Sequence, residues 1–349
     1  MDMLNKRRPY YLIITFLIIL ITSNCSGNIE NSTPTLPESE PTSTQLIVEP
    51  TETVEVEPPQ ESKNLYILLQ ESQYYLDPGK LDLISSIASE LGYEVITSEE
   101  LPENSNSQST ILIFSQDNQI LNHISGIAKE RLIIVGEELL DETNENSLFI
   151  QSSKAEQIFI AGYLAALITD DWRVGGLLPD VQFKNTAAST VFKNGVLYLC
   201  GRCIPVYGPI VNFPVTALLS MPEDTERTMQ AFGEISSNRL NSVFIPEAYL
   251  YDDLVILLRQ NEVTIFSDTN LESDNNDWVD YSVTNNISEI IIEILAEDSN
   301  QAETNETIHV EYSVQSNSKE IPLGRANFLQ EMIDSLQSGL ISPYEINSD

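Results

Sequence analysis

The sequence predicts an α/β fold made of two lobes, each a parallel sheet with helices on both faces, joined by a hinge. Three observations carry this expectation. Short, continuous apolar runs recur along the chain, as strands buried on both faces require. Stretches of helical length with apolar residues three and four apart separate them, the order produced by right-handed crossover units. The patterned region begins at Lys63 and spans 287 of the 349 residues, more than the roughly 250 residues at which one core stops growing.

The first 62 residues read differently. Lys6, Arg7 and Arg8 precede an apolar run over residues 10–21, too short for the roughly 20 residues a membrane-spanning helix needs. Basic head and short apolar core are the parts of an export signal. The run closes on Ile21-Thr22-Ser23-Asn24-Cys25-Ser26-Gly27, which resembles a bacterial lipobox and makes Cys25 the expected lipidation site. Asn24 stands where that motif has a small residue, and a non-lipidated signal or a short uncleaved anchor is the alternative. All three place the body outside the cytoplasm, and the lipobox adds a lipid anchor in the cell membrane. Residues 26–62 hold Pro34, Pro37, Pro41, Pro50, Pro58 and Pro59, eight glutamates and no basic residue. Such a segment buries too little apolar surface to offset its ordering entropy, so it is expected to be an acidic, disordered tether.

From Lys63 the strands and helices follow in turn. Residues 65–69 form the first apolar run. Leu81, Ile84, Ile87, Ala88 and Leu91 mark a helix over 80–91, stopped by Gly92. Strands are expected at 93–97, 110–114, 131–135 and 147–151, with a helix at 118–130 between the second and third of these. An Ala-rich helix over 156–168 leads into a strand at 174–178. Helices at 185–199, 223–232 and 249–260 then alternate with strands at 215–219, 242–245 and 263–266. Lobe boundaries are expected near residues 172, 270 and 305, giving lobe 1 as 63–172 plus 270–305 and lobe 2 as 173–269 plus 306–349.

Composition excludes several functions. Seventeen Lys and Arg against 53 Asp and Glu give a net charge of −36 and a pI near 4.1, the opposite of the basic face that nucleic-acid phosphates demand. The charge divides as +2 for residues 1–25, −8 for the tether and −30 for the body. Two histidines and three cysteines do not suffice for a His-rich metal centre or zinc fingers. The chain carries no nucleophile elbow, phosphate loop or paired metal ligands, and His123 and His309 lack a triad partner, so no enzyme activity and no cofactor are expected. Cys200-Gly201-Arg202-Cys203 follows a predicted helix rather than opening one, so the dipole that activates redox thiols is absent. A small-loop structural disulfide is expected in an exported chain.

Phe159-Ile160-Ala161-Gly162-Tyr163-Leu164-Ala165-Ala166-Leu167 followed by Trp172-Arg173-Val174-Gly175-Gly176 resembles the basic membrane protein family. Phe192-Lys193-Asn194-Gly195 and Ser338-Gly339-Leu340-Ile341-Ser342-Pro343 are similar to two further motifs of that family. Its members are substrate-binding lipoproteins of ABC importers, often for purine nucleosides, with the type 1 periplasmic-binding fold of two Rossmann-like lobes. The resemblance implies a small polar ligand held in the interlobe cleft and an ABC permease as partner. It also implies that Asp268, at the end of Ile265-Phe266-Ser267-Asp268, binds vicinal hydroxyls, a role suited to a carboxylate; capping of the following loop is the other role open to it. The small residues of the Ala-rich helix are expected to serve close packing alone.

The chain departs from the family at Phe266, at Asn285 and at Gln70-Glu71-Ser72-Gln73-Tyr74-Tyr75. Strand-end loops nevertheless supply candidate ligand residues: Gln70, Glu71 and Tyr74; Ser115, Gln116 and Asp117; Glu247 and Tyr249. Tyr74 and Tyr249 are the expected stacking rings. The departures also motivate a second function, a non-transporting sensor or surface interaction lipoprotein on the same fold.

Overall fold

The structure is a computed structural model, and it describes residues 63–69, 78–100, 109–115, 131–137, 147–208, 210–219, 222, 224–271, 277–297 and 307–345. The signal, Cys25, the tether, Gln70, Glu71, Tyr74, Gln116, Asp117, His123 and the helix expected over 118–130 lie outside these residues.

Two six-stranded sheets form the two lobes. The first contains β1 (Lys63–Leu68), β2 (Tyr93–Ser98), β3 (Ser109–Ser115), β4 (Arg131–Gly136), β5 (Ser147–Gln151) and β13 (Thr307–His309), in the order β13-β5-β4-β3-β1-β2. All its pairings are parallel. Successive side chains in a strand point to opposite faces, and the apolar runs are buried on both. Leu65, Ile67, Leu112, Phe114, Ile133 and Val135 join the main core, while Leu68, Ile111, Ile113, Leu132 and Ile134 form a second cluster.

The second sheet contains β6 (Val174–Pro179), β9 (Val215–Leu219), β10 (Ser242–Phe244), β11 (Thr264–Ser267), β12 (Tyr281–Asn285) and β14 (Tyr312–Ser316), in the order β14-β12-β11-β10-β6-β9. It is parallel except at its edge, where β14 runs antiparallel to β12. A short hairpin of β7 (Gln182–Phe183) and β8 (Thr186–Ala187) follows β6. Lys184 and Asn185 both have positive φ in its two-residue turn, the geometry that matches the twist of tight hairpins.

Helices connect the strands. The first lobe has α1 (Pro78–Glu90), and the Ala-rich segment forms α2 (Lys154–Ile168), two residues earlier than its periodicity predicts. The earlier start has a local cause: Ser153 caps the helix, its Oγ accepting the Glu156 N–H at 3.3 Å. The second lobe adds α3 (Ala188–Cys200), α4 (Thr225–Ser236), a 3-10 turn at Glu247–Tyr249 and α5 (Asp252–Gln260). Finally α6 (Ile287–Ala296) packs on α1, and α7 (Leu323–Gln337) packs on α2.

α2 is buried on nearly every side and lies against α3. A methyl group on Gly162 would collide with the Phe192 carbonyl oxygen, and one on Gly195 with that of Phe159. The small residues therefore let two helix backbones touch.

The chain passes between the sheets three times: through 152–153 into α2, through 286 out of β12, and through 310–311 between β13 and β14. These points differ from the boundaries expected near 172, 270 and 305. α2 packs on β10, β11 and β12 of the second sheet, so the first crossing precedes it. β12 stays with β11, where Tyr281 stacks on Phe266 with ring centroids 5.1 Å apart, so the second crossing follows it.

Candidate functional site: strand ends and crossovers

In open α/β sheets ligands bind beyond the carboxyl ends of the strands. Those ends carry Glu137 after β4, Gln151 at the end of β5, Glu247 after β10 and Asp268 after β11. The N-terminus of α2 enters between them, and two polar clusters form around it.

The first cluster is centred on Asp268. Its Oδ2 lies 2.6 Å from Lys154 Nζ, and its Oδ1 accepts the Glu247 N–H at 2.7 Å. Lys154 also donates to Gln157 Oε1 at 2.9 Å, and Gln157 Nε2 donates to the Val283 carbonyl at 2.6 Å. Thr269 Oγ1 donates to Glu247 Oε1 at 2.6 Å. Burial pulls the Asp268 carboxyl upward, but the charge and hydrogen bond of Lys154, the Glu247 N–H and the charge of Lys80 outweigh it. Its pKa therefore lies below the ordinary value, and the carboxylate is held ionised. Lys80 comes from α1, so charges from both lobes act on Asp268.

The second cluster lies on the other side of Ser153. Ser153 Oγ donates to Glu137 Oε1 at 2.9 Å, and Tyr344 Oη donates to Glu137 Oε2 at 2.8 Å. Tyr312 Oη donates to the Ser153 carbonyl at 2.9 Å and accepts the Ser153 N–H at 3.3 Å. Glu156 faces this group. Burial pushes its carboxyl up to about 7, and the charge of Glu137 adds to the push, against a Tyr312 hydrogen bond and the charge of Lys184. Burial and the neighbouring carboxylates also raise the hydroxyls of Tyr312 and Tyr344.

The structure places Asp268 and Glu247 together, with Lys154, Gln157 and Thr269 beside them. It separates Tyr249 from them. The 3-10 turn rolls that ring into the main core at 6% exposure, so Tyr249 is not presented for stacking. Phe266 is likewise a core residue. Asn285 is buried at the end of β12, where its Oδ1 accepts the Ile287 N–H at 3.4 Å. Sequence reasoning missed Lys154, Glu137, Glu156, Tyr312 and Tyr344.

Cys200 and Cys203 are disulfide-bonded, with Cα atoms 5.5 Å apart. The bond closes the end of α3 beside Gly201, whose φ of 63° sets the helix C-cap. Arg173 then holds the following loop through the carbonyls of Tyr207 and Gly208. A separate groove of about 620 Å³ lies between β14 and α7, lined by residues such as Ser313, Asn317, Leu329 and Gln330. Among the described residues no three His, Cys, Asp or Glu side chains are grouped to hold a metal ion. Among the same residues no helix is long and apolar enough to cross a membrane.

Two parallel-rich sheets, helices on both faces and three crossovers define the periplasmic-binding-protein class of fold. Solved structures carry the same likeness. An ABC transporter system solute-binding protein from Conexibacter woesei aligns at a TM-score of 0.52 and 9% identity, over 81% of this chain and 99% of that one. A second such protein, from Aeropyrum pernix K1, aligns at 0.52 and 10%, over 80% and 92%. A transcriptional activator of the comK gene from Bacillus halodurans aligns at 0.53 and 11%, over 80% and 99%. No family model matches the chain, and no curated protein matches its sequence. At these identities the likeness is one of fold.

Proposed function

We propose that the protein is an extracytoplasmic solute-binding lipoprotein, anchored through Cys25, that takes a small hydroxyl-bearing solute between its lobes and delivers it to an ABC permease. The observation that carries the reading is Asp268. It is an ionised, nearly buried carboxylate fixed at the end of β11, facing charges from both lobes. Ionised acceptors make the stronger hydrogen bonds to hydroxyl donors. A solute touching both lobes only when they are closed would shift the population toward closure. The basic membrane protein resemblance makes purine nucleosides the first solutes to test, with sugars next.

Lys154 favours a second reading. It already satisfies Asp268 from within the chain, as a non-transporting sensor or surface interaction lipoprotein without a solute would require. Thermal unfolding of the chain against nucleosides, free bases and sugars separates the two. A ligand at 100 times its Kd adds about 2.7 kcal/mol, several degrees for a domain of this size. The importer reading expects a purine nucleoside or sugar to raise the midpoint and Asp268→Asn to abolish the rise. A panel with no shift overturns it in favour of the second reading.

A further inference from the structure

Tyr344 joins two parts of the molecule that the chain does not connect at that point. It is held to the second lobe on one side: Asn194 Nδ2 of α3 donates to the Pro343 carbonyl at 3.0 Å, and Lys184 Nζ lies 5.3 Å from the Tyr344 ring centroid. Its hydroxyl reaches the first lobe and donates to Glu137 Oε2 at 2.8 Å. Glu137 follows β4 directly, and its other oxygen takes the Ser153 hydroxyl at the first crossover. The three crossovers can rotate without breaking. A hydrogen bond between the end of β4 in one lobe and the segment after α7, tied to the other lobe, cannot, because opening the lobes separates its partners.

We propose that Tyr344 and Glu137 form a closure latch, a non-covalent strap that holds the lobes together in the absence of solute and sets how often they open. This rests on the reading that the lobes hinge around a solute, but its test needs none. A hydrogen bond from a tyrosine hydroxyl to a carboxyl oxygen has a worth that corresponds to about tenfold in a two-state equilibrium. Phenylalanine at 344 keeps the ring beside Lys184 and removes only the hydroxyl.

The test is a distance measurement on the full chain carrying Cys25→Ser, with spin labels on cysteines placed at Ser89→Cys in α1 and Ser237→Cys after α4, both exposed positions. The expected result is a short distance for the parent chain and, for Tyr344→Phe, a longer-distance population increased about tenfold. Superimposable distributions with an unchanged melting midpoint overturn the latch. If Tyr344→Phe does not fold, Glu137→Ala probes the same bond from its acceptor side, and the same two outcomes decide. A failed solute panel leaves this measurement intact, so the latch and the importer reading fail separately.

Discussion

Asp268 and Glu156 are carboxylates beside the same helix N-terminus, and their surroundings drive them in opposite directions. Burial raises both. Asp268 has an ammonium 2.6 Å away and a backbone N–H at 2.7 Å, so it ends below the ordinary range. Glu156 faces another carboxylate and ends near 7. A direct counter-charge, rather than depth of burial, decides which carboxylate at this helix N-terminus stays ionised.

The largest expected effect comes from removing that counter-charge. Lys154→Met leaves a nearly buried carboxylate without its cation and should cost about 3–5 kcal/mol in denaturant unfolding. Adding Asp268→Asn should recover a large part of the loss, because the unpaired charge is then gone. A single mutant as stable as the parent would break the comparison at its stronger end.

The next effect is in the pH profile, and the two groups predict opposite slopes. The raised pKa of Glu156 means the folded chain binds a proton that the unfolded chain releases between about 4.5 and 7. Its contribution is fully present below 4.5 and lost as pH rises through 7, about 3 kcal/mol. Asp268 behaves inversely: its lowered pKa contributes stability above the unfolded value of 3.8 that is lost as pH falls through the folded pKa. Glu156→Gln should therefore flatten the decline between pH 4.5 and 7 and leave the acid limb unchanged. Equal slopes for parent and mutant, measured by urea unfolding at several pH values, would show that Glu156 titrates normally.

The smallest effect concerns the support of Ser153. Tyr312→Phe removes the hydroxyl that serves both backbone groups of Ser153, and should cost about 1–2 kcal/mol. A cost below 0.5 kcal/mol, an order-of-magnitude floor for a lost hydrogen bond, would mean that water replaces it.

Legibility in the sequence followed the range of the interaction. β1, β3 and β4 were readable because burial on both faces writes itself as consecutive apolar residues. The edge strand β14, Tyr-Ser-Val-Gln-Ser, is short and polar, so its antiparallel pairing escaped notice. Asp268 was singled out through the family resemblance of Ile265-Phe266-Ser267-Asp268, a local motif at the end of a strand. Lys154 was missed because its partner is 114 residues away, and nothing near it in sequence signals that contact. Tyr249 misled because an aromatic in a strand-end segment reads as accessible, whereas the backbone turn that buries it depends on tertiary packing. The lobe boundaries slipped because helix periodicity marks which face is apolar without saying which sheet will cover it.

The glycine contact between α2 and α3 bears on mechanics. Two helices whose backbones touch at Gly162 and Gly195 have no layer of side chains between them to shear or repack. α2 begins directly at Ser153, so torque applied there reaches α3 as through a stiff lever arm. The Cys200–Cys203 staple stands at the far end of that lever. Of the three crossovers, the one at 152–153 therefore runs straight into a stiff two-helix unit.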